Sequence, residues 1–198
     1  MGVAAGSEPI SEPRFPAPAE AFRLAASTLT QAIASGDDDL LSGAVAKCRR
    51  VLLLTPHDDN RSRSKTLGML GVALQHRFRR HGAMADIDEA VEVGRRGADL
   101  IPEGDPDQVA ILSDLAAALK LRFEREGATL GRRDLDAAVT AFRRAAATAR
   151  PGSPEATSIG YSLCALLRAR FDHYGDMADL AESLSLGREV AARRRSES

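Results

Sequence analysis

Three stretches decide the reading: LGVALQHRFRRHG (70–82), LAAALKLRFEREG (115–127) and LCALLRARFDHYG (163–175). They are copies of one pattern. Leu70, Leu115 and Leu163 align, as do Leu74, Leu119 and Leu167, then Phe78, Phe123 and Phe171, and finally Gly82, Gly127 and Gly175, at spacings of 45 and 48 residues. A second pattern follows each copy: DIDEAVEVGRRGADLIP from Asp86, DLDAAVTAFRRAAATAR from Asp134 and DLAESLSLGREVAARRR from Asp179. A weaker version, LLSGAVAKCRRVLLLTP, runs from Leu40 to Pro56. Self-similarity at such a period marks a repeat architecture.

Both patterns read as helices. Leu67, Leu70, Leu74 and Phe78 are spaced three and four apart, one face of a helix. Val91, Gly94, Ala98 and Ile101 make the matching stripe of the second pattern. Gly82, Gly127 and Gly175 stand where a helix end wants positive φ. Asp86 with Glu89, and Asp179 with Glu182, read as capping boxes, while Asp105-Pro106 and Ser153-Pro154 place a capping side chain before a proline. Gly127 to Gly131 reads as a loop insertion between helices rather than a phosphate cradle. The short gaps predict antiparallel hairpins over about 19–56, 59–102, 105–150 and 153–195, eight helices in all. One hairpin cannot bury its own apolar face, so stacked neighbours must share a core. The first unit is degenerate, with Ala32 where the others carry Phe, as a solenoid end in water requires. Residues 1–17 read as a disordered Pro/Ala-rich lead, and 196–198 as a tail.

Composition narrows the functional classes. The chain has 198 residues with 27 basic and 28 acidic side chains, a net charge of -1. That balance argues against a nucleic-acid binder, which needs surplus Lys and Arg to displace counterions. No apolar run reaches the roughly 18 residues of a membrane span, and the first twenty residues lack a secretory signal, so the cytoplasm is the expected location. Cys48 and Cys164 read as buried, reduced thiols. The four histidines, His57, His76, His81 and His173, make no metal-ligand pattern, and neither a phosphate loop nor a GxSxG nucleophile turn occurs. No cofactor, metal or enzymatic activity is expected. Equivalent arginines recur at Arg49, Arg95, Arg143 and Arg188, and at Arg77, Arg122 and Arg170. They read as partners for the repeats' own carboxylates, Glu92–Arg96 for example, rather than as a grip on acidic ligands.

The units resemble tetratricopeptide repeats. Leu70-Gly71, Leu115-Ala116 and Leu163-Cys164 match that family's large-small pair, Ala90, Ala138 and Ser183 its small residue in the second helix, and Phe142 its aromatic. Gly97, Ala145 and Pro102 match its later small and closing positions. The resemblance implies an all-α fold, a right-handed α-solenoid of about four hairpins. The repeats exceed the family's 34 residues, and RF(x)3G followed by an Asp-initiated helix looks like the long arrays of actinobacteria that often precede a caspase-like CHAT peptidase, a domain for which no residues remain here.

The same resemblance implies that first helices line a concave groove. Carried over, its surface holds Met69, Val72, Gln75 and His76, then Ser113, Asp114, Ala117, Lys120 and Leu121, then Tyr161, Ser162, Ala165 and Arg168. Gln75, Lys120 and Arg168 are equivalents, a mildly basic rail. Such a groove suits an extended or helical peptide, although the family's carboxylate clamp is absent, with Gly68, Ser113, Val72 and Ala117 in its place. The leading expectation is therefore a non-enzymatic adaptor that binds a protein or peptide. A small enzyme or ligand-binding protein using His76, Asp114, Tyr161, Lys120 and Arg168 is the alternative, and self-association of the solenoid ends into a homo-oligomer is a third.

Overall fold

The computed structural model describes residues 16–196 and, within them, all side chains but those of 128–130 and 193–196. The expected lead falls, up to residue 15, outside the described residues, as do residues 197 and 198 of the tail. Among the described residues eight helices follow one another: α1 (Pro18–Ser35), α2 (Asp38–Leu54), α3 (Asn60–His81), α4 (Met84–Leu100), α5 (Gln108–Glu126), α6 (Ala128–Thr148), α7 (Pro154–Tyr174) and α8 (Met177–Ser196). No strand occurs among the described residues. Each helix packs on the next, and α3 also touches α1 and α5, while α5 touches α7. Among the described residues no even-numbered helix packs on another even one. The closer approach on the odd side curves the array, so α1, α3, α5 and α7 line its inner face.

The apolar stripes bury as their spacing demands. Leu67, Leu74, Leu112, Leu119, Leu135 and Leu167 are fully enclosed within one continuous core. Each such side chain stabilises the fold by about 1.5–3 kcal/mol relative to leaving it in water. Gly82 and Gly175 end α3 and α7 in the left-handed region at φ 67 and 73, which a Cβ would resist. Ser153 caps α7 as expected, its hydroxyl accepting from the Ala156 N–H at 3.1 Å. Cys48 is buried, and burial pushes its thiol up to about 11. Both cysteines are free.

Three local expectations are corrected. Asp86 and Asp179 do not cap: α4 starts at Met84 and α8 at Met177, so both carboxylates lie inside the first turn, facing the core rather than the helix end. Asp105 does not start a helix at Pro106. Instead its carboxylate accepts from the Asp107 N–H in a turn, and α5 begins at Gln108. The stretch after Gly127 is not a loop, because α6 runs from Ala128 and absorbs the extra residues into its first turn.

The carboxylates withdrawn from capping meet the repeated arginines. Arg77 grips Asp86 through Nε and Nη2 at 2.8 and 2.5 Å, Arg122 grips Asp134 at 2.6 and 2.7 Å, and Arg170 grips Asp179 at 2.6 and 2.5 Å. These are bidentate forks, the strongest geometry available to an arginine–carboxylate pair. The remaining nitrogen of two of them reaches back to the preceding unit, Arg122 to Asp88 at 3.1 Å and Arg170 to Asp136 at 2.9 Å. On the even helices Arg49 pairs with Glu89 and Arg143 with Glu182. The arginine ladders thus serve the repeats' own carboxylates, across helices rather than along one.

Candidate functional site

The inner layer is not uniformly closed. Between α3 and α5, Gly68 lets the Ile111 side chain come within 3.3 Å of where a Cβ would stand. Gln75 then donates its side-chain N–H to the Asp114 carbonyl at 3.1 Å. At the next junction both devices are replaced. Ser113 occupies the position of Gly68, and Lys120, the equivalent of Gln75, turns to Glu124 in its own helix. α5 and α7 consequently part, leaving a cleft of about 950 Å³. Pockets that take ligands typically span 300–1,000 Å³. A smaller cleft of about 520 Å³ lies between α1 and α3, beside Phe22 and Lys65.

The larger cleft is built from two matched helix faces. Ala110, Ser113, Asp114 and Ala117 on α5 and Glu155, Ser158, Ile159 and Ser162 on α7 each follow the three-and-four spacing of one face. Phe142 of α6 and Ile159 form an apolar floor, both buried. Ser113, Ser158 and Ser162 supply hydroxyls, and Arg150 and Glu155 stand at the exposed mouth. Asp105, also on the rim, is held by Arg61 at 2.8 Å.

Asp114 is the exception in this setting. Among the described residues, every other buried or half-buried carboxylate has an ion pair or a backbone N–H, and Asp114 has neither. Burial alone pushes its carboxyl up to about 6, since desolvation disfavours the charged form. Among the described residues no buried side-chain oxygen or nitrogen is sealed without a partner, so the Asp114 oxygens remain open to solvent at the cleft. The fold does not require a carboxylate there, because the equivalent positions are Met69 and Ser162.

Of the expected groove residues, Ser113, Asp114, Ala117 and Ser162 line this cleft. Gln75 is a correction: it is 4% exposed and spent on bridging α3 to α5. The basic rail is corrected with it, since Lys120 pairs with Glu124 and Arg168 with Asp172, each neutralised one turn along its own helix. Met69, Val72 and Leu121 are half-buried against the core. His76 is half-buried, and burial together with Arg79 and Arg80 holds its imidazole below the usual range. Tyr161 is 48% exposed and stands outside the lining. The five polar groups considered for catalysis therefore do not converge on the cleft, where Asp114 alone of them is found. Ile159, Ser158, Val109 and Phe142 were missed. Ser158 lies four residues before Ser162 and Ala110 four before Asp114, and that helical spacing was the available signal. No group of His, Cys, Asp and Glu that could hold a metal occurs among the described residues.

No family model matches the chain, and no curated protein matches its sequence. Among solved structures, the DHF58 filament is 16% identical with a TM-score of 0.52, covering 90% of this chain and 93% of its own. The de novo designed helical repeat protein DHR64 is 18% identical at a TM-score of 0.47, with 90% and 93% covered. Nearly identical TPR-like repeats of kinesin light chain type from Podosopora anserina are 15% identical at 0.43, with 93% and 99% covered. At that identity the likeness to the DHF58 filament speaks to the fold alone. No helix among the described residues is long and apolar enough to cross a membrane.

Proposed function

We propose that this chain is a non-enzymatic scaffold that takes an extended or helical segment of a protein partner in the cleft between α5 and α7. The observation that carries this reading is an apolar floor under a hydroxyl rim, with an open, uncompensated carboxylate at a position where sister repeats carry Met69 and Ser162. A few polar groups over an apolar floor suit a peptide that brings both kinds of side chain. The small-enzyme alternative has less support, since His76, Lys120, Tyr161 and Arg168 lie outside the cleft lining. Panning a random-peptide phage library on the protein tests the reading. Selected peptides are expected to bind the Ser158→Trp variant at least about tenfold more weakly, a loss of 1.4 kcal/mol, because the indole fills the cleft from an exposed rim position. Peptides that ignore Ser158→Trp would place the binding face elsewhere.

Self-association is the second reading, and one observation favours it. Leu184 is 52% exposed, whereas Val45, Val91 and Val139 at the equivalent positions of the earlier units are 1% exposed or less. Each of those valines lies in a helix on which the first helix of the following repeat packs, and a second copy could cover Leu184 likewise. Light scattering is expected to give an oligomer that Leu184→Arg dissociates. Monomer at all concentrations would remove this reading.

A further inference from the structure

The cleft's charge distribution describes its occupant further. Among the described residues lining it, Arg150 is the one cation, and it stands with Glu155 at the mouth. Asp105 is already engaged by Arg61. The half-buried Asp114 lines the same cleft as Ser113, Ser158, Ser162 and Ile159, and its carboxylate pairs with no cation among the described residues. Elsewhere the protein matches its enclosed carboxylates meticulously: Asp86, Asp134 and Asp179 each receive an arginine fork. A half-buried charge left unmatched is costly, and at a position where the fold accepts Met or Ser nothing in the repeat requires that cost.

We propose, resting on the reading of the cleft given above, that the bound segment carries a lysine or arginine whose charged group seats on the Asp114 carboxylate, with apolar side chains beside it on Phe142 and Ile159. The cation replaces the missing partner, and Ser113, Ser158 and Ser162 supply oxygens for its remaining N–H donors. Burial of the new pair would give orientation as well as affinity, because a segment in the wrong register leaves two charges unpaired.

The same peptide library tests this. Peptides selected on the parent protein are expected to share one basic residue flanked by apolar ones. Asp114→Asn is expected to weaken them about thirtyfold or more, the range for truncating one partner of an enclosed charge pair. Changing the basic residue of the peptide to norleucine should cost the same, with little further loss when both changes are combined. Asp114→Ser, which copies Ser162 of the next unit, guards against an effect peculiar to asparagine, and circular dichroism verifies folding of each variant. Peptides that Ser158→Trp blocks but that lack a basic residue, or ignore Asp114→Asn, would overturn the inference and leave the groove reading standing. Failure of any peptide to depend on Ser158 would overturn the reading itself. Retention of spermidine with no peptide selected would overturn both in favour of a free-amine site.

Discussion

Arg122→Ala is expected to destabilise the fold by about 3–5 kcal/mol, the range for removing one partner of an enclosed ion pair. The arginine is held by Asp134 through two hydrogen bonds and by Asp88 through a third, and these carboxylates keep its guanidinium above the usual range. Asp134 is 4% exposed and, among the described residues, keeps only the exposed Arg95 at 3.9 Å once Arg122 is gone, so it is left poorly compensated and must take a proton or draw in water. The Asp88 contact also ties the third unit to the second. Arg77→Ala should cost less, because Arg77 has the fork to Asp86 but, among the described residues, no ion pair to the preceding unit, where Ser42 replaces the acidic equivalent. The combined change Arg122→Met with Asp134→Leu should recover much of the loss, since apolar replacements of enclosed pairs are often neutral. Urea denaturation measures all three. A loss under about 1 kcal/mol for Arg122→Ala, the ordinary value for a solvent-exposed pair, would refute the role assigned to the fork.

Asp114→Asn is expected to do the opposite and stabilise the protein. The folded state raises this carboxyl from 3.8 to about 6 through burial, so it holds the proton more tightly than the unfolded chain. The sign follows: the penalty is absent below pH 3.8, grows between 3.8 and about 6, and is fully present above 6. At 1.36 kcal/mol per pK unit the penalty is at most about 3 kcal/mol, and access of water from the cleft brings it to the order of 2 kcal/mol. Asp114→Asn removes it, so the variant should exceed the parent by that amount at neutral pH and match it in acid. The difference between the two proteins is the readout, because other carboxylates titrate in the same acid range and cancel. Asp105 with Arg61, and the exposed Arg150 and Glu155, are the ionisable neighbours in the cleft, and both proteins keep them. A residue that makes the fold less stable at the working pH is what a binding site retains and a purely structural position discards.

The fold was legible because periodicity and recurrence carry it. Leu70, Leu115 and Leu163 announce one helix face three times over, and each of the three is buried. The repeated arginines are legible as partners for the repeats' own carboxylates, but not for which ones, since Asp86 and Asp179 read there as helix caps. Arg77 and Asp86 lie nine residues apart across a turn, a separation that no single helix brings together, so sequence spacing suggested capping instead. The pair survives at Arg122 and Asp134, twelve residues apart, because the extra residues enter α6 and the hairpin closes on the same contact. The site was legible only in part. Repeat alignment put Asp114 on the inner face, but what distinguishes it is a missing partner, which depends on where every other side chain goes. Gln75 shows the same limit, being equivalent to Lys120 in sequence yet spent on a backbone carbonyl of the neighbouring helix.

The cleft between α5 and α7 holds, among the described residues, a carboxylate without a partner of its own, and the proposed occupant brings the cation. Carbon-detected NMR of the Asp114 carboxyl, titrated with and without a selected peptide, tests it most directly. The free protein should titrate at about 6, and the bound one well below that, as an opposite charge at contact distance demands. Titration near 4 in the free protein, unmoved by the peptide, would contradict the account.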